Sequence, residues 1–313
     1  MLEIYKYNKK PFVEINEIQI DALKKFDLYV SKGLLTYQKN ICPCKSENSE
    51  LLSERCRYGI KVSYQICKNC SLVRQDPILT EKSLILFYKD LYREIYTGKI
   101  DIQNKEHIFS EQYKSGNKYY DFLDKILEGK KKKLANYAEV LEIGSSCGGI
   151  VSYFQDKGHK VTAMDYDENY LNFALLKGIK NIYNDLSKIK KKFDLIILSH
   201  SFEHFLNLEN KLNEIKNLLN DDGIVFFDIP GIFNRDYYHL RNLLYNPKKI
   251  HFLYHLQNAH TYYFSSETFK DLINKISNFG FIYIDQKIYA ILENKKNEMN
   301  SNINNTNYKK INK

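Results

Sequence analysis

The stretch Val140-Leu141-Glu142-Ile143-Gly144-Ser145-Ser146-Cys147-Gly148-Gly149 constrains this chain more than any other. It opens as a short apolar run, the pattern of a buried strand. It then breaks into small residues and glycines, and Ile150, Val151 and Phe154 follow at helical spacing. Strand, glycine turn, helix is the first half of a nucleotide-binding α/β unit, where glycine lets the backbone turn sharply and a ligand approach closely. A dinucleotide site needs G-x-G-x-x-G, and Gly144-Ser145-Ser146 fails that spacing. A phosphate-cradling loop needs G-K-[ST] at its end, and no lysine stands there.

What remains is E-x-G-x-x-x-G, carried by Glu142, Gly144 and Gly148. A second acid, Asp165, ends the run 160–164 about 20 residues past the first glycine, the place of a ribose-binding acid in such units. In this order the residues resemble the first motifs of class I S-adenosylmethionine (SAM)-dependent methyltransferases. The resemblance implies a Rossmann-like α/β sheet that binds SAM. Glu142 and the loop 144–149 would meet the methionine part, and Asp165 the ribose hydroxyls. The competing account is a structural glycine turn beside an ordinary surface aspartate.

Alternating elements continue the pattern of an α/β domain. Strands are predicted near 139–143, 160–164, 178–183, 193–199 and 224–228, with closing strands near 281–284 and 286–292. The run 193–199 is the most apolar in the chain and reads as the central strand, covered on both faces. His200, Ser201, Phe202, Glu203 and His204 follow it directly, and ligands bind beyond the carboxyl ends of such strands. Asp185, after the third strand, suits either an adenine contact or a loop cap. Residues 106–137 read as a helix covering the cofactor edge. The irregular, aromatic residues 231–259, with Tyr237, Tyr238, His239, Tyr245, His251, Tyr254 and His255, are expected to shape an acceptor pocket.

Four of the six cysteines fall in two close pairs, Cys42-Pro43-Cys44 and Cys67-Lys68-Asn69-Cys70. Four thiolates suit tetrahedral zinc. Alternation in Ile60, Val62, Tyr64 and Ile66 suggests a small ribbon between the pairs. Cys56 lies in that ribbon and could replace one ligand; four unrelated buried thiols are the plainer account. The expected organisation is a helical segment 1–40, a zinc-binding module 41–75, a helical cover 76–137, a methyltransferase domain 138–293 and a disordered Asn/Lys-rich tail 294–313. The net charge of +9 comes from scattered lysines without arginine–aromatic interleaving, so nucleic acid is not the expected partner. No apolar leader opens the chain and no apolar run reaches membrane-span length, so a soluble cytoplasmic protein is expected. Its oligomeric state is not legible.

A zinc knuckle running into Pro77, Phe87-Tyr88, Tyr92 and Tyr96 ahead of a SAM fold resembles the bacterial sugar C-methyltransferases, from about Cys42 to Ile288. The resemblance implies a small-molecule or glycan acceptor, a sugar methylated on oxygen or carbon. It implies one catalytic histidine after the fourth strand, where His204 stands. It implies a second in a Tyr-x-Glu-His segment, where His260 stands with Gln257 and Ala259 in place of the Tyr and Glu. By that match His260 takes the acceptor proton, His204 orients the acceptor, and Tyr92 or Tyr96 closes the pocket. Two rivals stay open. His200, Glu203, His204 and His260 resemble the Glu-x-x-Glu-His…His metal site of magnesium- or manganese-dependent RNA 2′-O-methyltransferases, with His for the first Glu. A zinc-ribbon interaction protein on a non-catalytic methyltransferase fold is the other, against which the intact Glu142, Gly144, Gly148 and Asp165 argue.

Overall fold

A computed structural model of the chain describes residues 2–99, 102–134, 136–232 and 251–295. Helix α1 (Glu17–Ser31) opens on a capping box in which Asn16 and Gln19 satisfy each other's backbone N–H. The Gln19 amide also donates to Ile95 O at 2.8 Å and ties α1 to the helical segment near residue 95. Strand β1 (Tyr37–Gln38) pairs with β5 (Ile78–Leu79). Between them β2 (Ser49–Arg55), β3 (Lys61–Cys67) and β4 (Val73–Gln75) form an antiparallel ribbon. Helix α2 (Glu81–Phe87), a π-helical turn over Tyr88–Tyr92 and α3 (Arg93–Thr97) run on without a break. Such π-turns inside helices recur at functional sites.

The long helix α4 spans Ile102–Gly129 and stops short of the predicted 137. Gly129 is followed by four lysines, and Lys131 sits in the left-handed region at φ +56°, so the helix cannot continue. Next come β6 (Glu139–Ile143), α5 (Gly149–Asp156), β7 (Lys160–Met164), α6 (Glu168–Leu176), β8 (Ile182–Tyr183), β9 (Phe193–Ser199), α7 (Leu208–Leu218) and β10 (Leu219–Asp228). After 251 the chain gives β11 (Tyr262–Tyr263), α8 (Ser266–Ile276), β12 (Phe279–Ile284) and β13 (Tyr289–Asn294). Expectations that fall on 233–250 and 296–313, including those for Tyr237, Tyr238, His239, Tyr245 and most of the tail, lie outside the described residues.

The main sheet has the order β12-β13-β10-β9-β6-β7-β8. Its strands are parallel except β13, which runs antiparallel to both neighbours. The predicted central strand is confirmed. Leu195, Ile196, Ile197 and Leu198 are fully buried, and alternate residues feed two cores. Ile196 and Leu198 pack with Leu141, Phe202, Phe227 and Phe269, while Leu195 and Ile197 pack with Val140, Val151, Phe154 and Leu123. Each such side chain contributes roughly 1.5–3 kcal/mol of transfer free energy. Several predicted strand edges differ, and the fifth strand begins at Leu219 rather than Ile224. The third strand shrinks to two residues, and the last starts at Tyr289 because Asp285 accepts the backbone N–H groups of Lys287 and Tyr289 and forces a turn.

The second sheet has the order β11-β4-β3-β2. Strand β11, from the segment read as methyltransferase domain, therefore pairs with the N-terminal ribbon. Among the described residues no helix is long and apolar enough to cross a membrane.

Candidate active site

Chain order in the main sheet reverses between β6 and β9, and ligands of open α/β sheets bind at such a switch point beyond the carboxyl strand ends. A cavity of about 390 Å³ lies there. Ile143, Gly144, Met164, Asp165, His200 and Ser201 form its floor, and the N-terminal helices add Tyr88, Tyr92 and Arg93.

The glycine loop is built as much by packing as by ligand approach. Gly144 has φ +82°, and a Cβ there would stand 2.7 Å from Ser201 Cβ. Gly148, at φ +77°, does not line the cavity; its missing Cβ makes room for Ala174 Cβ, which would be 2.9 Å away. The loop backbone is then pinned from two sides. Asp165 accepts the N–H groups of Ser146 (2.7 Å) and Asp167 (2.9 Å). Gln112 on α4 donates to Ser145 O (3.1 Å) and accepts Gly149 N–H (3.3 Å), which is how the long helix covers the cofactor edge. Asp165 lines the cavity with lone pairs to spare, since a carboxylate has about four acceptor positions. Burial raises its pKa. Glu142 lies beneath the loop rather than in the cavity wall; its oxygens have no hydrogen-bond partner among the described residues, and burial pushes its pKa well above the usual range. Asp185 does not line the cavity: it caps the 3-10 turn Leu186–Lys188 by accepting Ser187 N–H at 2.9 Å, which lowers its pKa. These features fit SAM: a hydroxyl-binding acid, a tight loop and a cavity of ordinary ligand size.

After β9 the backbone turns through His200, a non-glycine residue at φ +49°. Its ring lines the cavity, with Nε2 3.6 Å from Asp228 Oδ2 and Nδ1 3.9 Å from Glu203 Oε1. Asp228 in turn accepts the Tyr119 hydroxyl. Glu203 is 1% exposed, both its oxygens lack a partner among the described residues, and burial pushes its pKa up to about 8. His204 lines the cavity. Its Nδ1 lies 2.8 Å from Ala259 O and 2.8 Å from Tyr88 OH. A carbonyl only accepts, so Nδ1 carries the proton and Nε2 keeps its lone pair. Burial pushes the His204 pKa down to about 4 and the His260 pKa well below its usual value, so both rings are neutral at pH 7.

The two histidines, far apart in sequence, meet with ring centroids 4.8 Å apart and planes nearly perpendicular. His260 stands behind His204 and does not itself line the cavity. Glu203, His204 and His260 each offer a donor atom within 4.8 Å of the others. Tyr92 lines the cavity, and the exposed Tyr96 stacks on it at 5.5 Å.

Cys42, Cys44, Cys67 and Cys70 form one cluster, with Sγ–Sγ distances of 3.4 Å (42–70 and 42–44) and 3.5 Å (44–67). Tetrahedral zinc with bonds of about 2.3 Å sets thiolates about 3.8 Å apart, so the donor set fits. The hydrogen bond shared with Cys42 pulls the Cys70 pKa down to about 5. Cys56 is buried elsewhere, beside Tyr58 and Ile60, and is not a fifth candidate ligand.

Strand β4 leaves this cluster and carries Gln75, whose amide donates to Asn258 O (3.0 Å) and His260 O (2.6 Å). Thr261 continues the chain of bonds, donating its N–H to Glu203 O (2.9 Å) and its hydroxyl to His204 O (3.0 Å). Sequence reading missed Gln75, Gln112, Arg93 and Asp228. Arg93, one residue past the noted Tyr92, was the most accessible of these, since an arginine following a functional aromatic segment is itself a signal.

Comparison with known proteins identifies the domain. The model of a methyltransferase domain matches residues 109–281. An uncharacterized methyltransferase of Staphylococcus carnosus (strain TM300) is 30% identical over 156 residues, 46% of this chain and 72% of that one. Among solved structures the chain is similar to the plantazolicin methyltransferase BpumL in complex with SAH, at 16% identity and a TM-score of 0.45, covering 64% of this chain and 79% of that one. It is also similar to an S-adenosyl-L-methionine-dependent methyltransferase of Methanococcus maripaludis, at 17% identity and a TM-score of 0.43, covering 64% and 97%. With a cavity at the switch point, a buried acid on its rim and a family model spanning more than half its length, the chain belongs to the methyltransferase-domain family and is a SAM-dependent methyltransferase.

Proposed function

We propose that the acceptor is a sugar, nucleotide-linked or part of a glycan, methylated at a hydroxyl or an acidic carbon. His204 is its general base and the Cys42–Cys44–Cys67–Cys70 cluster holds a structural zinc. The observation that carries the reading is the meeting of His204 and His260 at 4.8 Å, beside a cavity walled by Tyr88 and Tyr92. When bound, SAM supplies a methyl group already activated on a sulfonium. The protein has to hold the acceptor in line and remove its proton. Asp165 holds the ribose hydroxyls with its unused lone pairs. The tyrosines exclude water from the acceptor side.

Expectation from the family match gave the proton to His260. The geometry favours His204 instead, because it borders the cavity and its tautomer is fixed by Ala259 O, which leaves the lone pair on Nε2, 3.7 Å from Glu203 Oε1. His260 then supports the His204 ring from behind. The test is transfer of labelled methyl from SAM to a panel of nucleotide-linked sugars, glycan fragments, small RNAs and short peptides. Labelling confined to RNA or peptide overturns the sugar reading.

A second reading is favoured by one observation: the donor atoms of Glu203, His204 and His260 converge, and the Glu203 oxygens are unpartnered. Those three residues could hold a divalent cation that polarises the acceptor hydroxyl. His200 is outside that trio. Activity abolished by EDTA and restored by magnesium or manganese would favour it.

A further inference from the structure

Arg93 is a cation at the cavity wall whose charge acts on Asp165, on the same side of the cavity, without forming a direct pair with it. Its Nη2 donates to Ser146 Oγ at 2.9 Å, and its guanidinium lies 4.3 Å from the Tyr170 ring centroid and 5.2 Å from that of Tyr92. Among the described residues it makes no ion pair. Asp165, the acid that shares its side of the cavity, spends hydrogen bonds on Ser146 and Asp167 instead. Two aromatic faces and one hydroxyl offset part of the cost of removing a guanidinium from water. Among the described residues they leave most of its five N–H donors without a partner. A planar fork in that state is suited to a carboxylate, which it can bind through two parallel hydrogen bonds.

The π-helical turn over Tyr88–Tyr92 sets this geometry. It inserts an extra residue per turn, so Tyr88, Tyr92 and Arg93 all border one cavity. Arg93 contacts the glycine loop through Ser146, whose own backbone N–H is held by Asp165. Ribose at Asp165 would leave the amino-acid end of the cofactor along this loop, within reach of the guanidinium.

We propose that Arg93 grips the carboxylate of the amino-acid end of SAM, so that the N-terminal helices close the cofactor site. The inference rests on the SAM-dependent activity and not on the identity of the acceptor. Glu203, the histidines and the cysteine cluster play no part in it.

The test compares two probes by calorimetry on the full chain: S-adenosylhomocysteine, and its decarboxylated analogue, which keeps the adenosine, the sulfur and the amine. Arg93→Gln is expected to weaken S-adenosylhomocysteine tenfold or more and to leave the decarboxylated analogue within twofold of its wild-type affinity. Arg93→Lys, which keeps the charge and loses the fork, is expected to fall between. It serves as the reading variant if Arg93→Gln fails to fold, through the same preferential loss for the carboxylate-bearing probe. Equal weakening of both probes makes Arg93 a support of the adenosine pocket and overturns the proposal. Unchanged affinity for S-adenosylhomocysteine also overturns it, and points to an anion on the acceptor as the partner of Arg93.

Discussion

Replacing Glu203 by Gln separates the two readings of the histidine cluster through stability alone. The Glu203 carboxyl is buried without a hydrogen-bond partner among the described residues, and its pKa stands at about 8 against an ordinary 4.5. The folded protein therefore keeps a proton that the unfolded chain gives up. A raised carboxyl pKa contributes stability that is fully present below about pH 4.5 and lost as pH rises towards 8. Each pH unit in that window costs about 1.4 kcal/mol. The wild type should lose about 4 kcal/mol to this one group between pH 5 and pH 8. Gln has no proton to lose, so its pH-independent cost cancels in the comparison.

The assay is urea unfolding of both proteins at several pH values, read from tyrosine fluorescence, since the chain has 26 Tyr and no Trp. The stability gap in favour of Glu203→Gln is expected to widen steadily from pH 5 to pH 8 and to level off above. His204 and the other titrating groups are present in both proteins and drop out of the difference. A gap that stays constant within about 0.5 kcal/mol refutes the buried neutral carboxyl, because even a third of the worked slope exceeds that. A gap that closes with rising pH in protein supplied with magnesium or manganese means an ionised Glu203 on a cation, and would carry the metal reading.

His204→Gln should lower kcat/KM about a hundredfold while leaving S-adenosylhomocysteine affinity unchanged by calorimetry, the usual scale of a lost general base. Because the His204 pKa lies near 4, the wild-type rate should show no acid limb through pH 6.5, where an ordinary histidine gains its proton; a limb centred there would reject the buried base. Asp165→Ala should weaken S-adenosylhomocysteine by roughly 1–3 kcal/mol, part of it through the loosened Ser146 N–H. Elemental analysis of chelator-free protein should find close to one zinc per chain, reduced by Cys70→Ser and unaffected by Cys56→Ser.

The sheet was legible because its signals are local. Residues 193–199 are apolar on both faces, and only a strand covered on both sides calls for that. Gly144 and Asp165 were legible as cavity residues because a sharp turn and an acid recur at fixed separation in such folds. Asp185 shows the limit of such spacing: position left an adenine contact and a loop cap equally open, and its side chain accepts Ser187 N–H in its own turn. The Cys pairs were legible by proximity in sequence, yet only the fold excludes Cys56. Gln75 and Gln112 were not singled out because their partners lie many residues away on other elements, and nothing in their immediate neighbours marks them; Arg93 had only the neighbouring Tyr92 to mark it. The exchange of roles we propose between His204 and His260 has the same origin. Sequence gives both positions, but which ring faces the cavity depends on how residues 257–263 are laid down.

That laying-down explains why an N-terminal ribbon belongs to a methyltransferase site. A histidine kept neutral by burial needs a dry surrounding, and residues 257–261 supply it only if their own backbone groups are satisfied. The main sheet offers them no strand to pair with. The ribbon does: Tyr262 and Tyr263 pair with Arg74 and Val73, Gln75 N–H donates to Thr261 O at 2.9 Å, and the Gln75 amide satisfies the Asn258 and His260 carbonyls. Thr261 then reaches across to Glu203 O and His204 O. Cys70, the last residue of the cysteine cluster, stands three residues before Val73, the start of the strand that organises this network. On this geometry a metal bound by the thiols would steady the side of the cavity that carries His204 and leave the loop around Gly144 and Asp165, held by α4 and β7, on an independent footing. Loss of the metal is therefore expected to cost turnover before it costs cofactor binding.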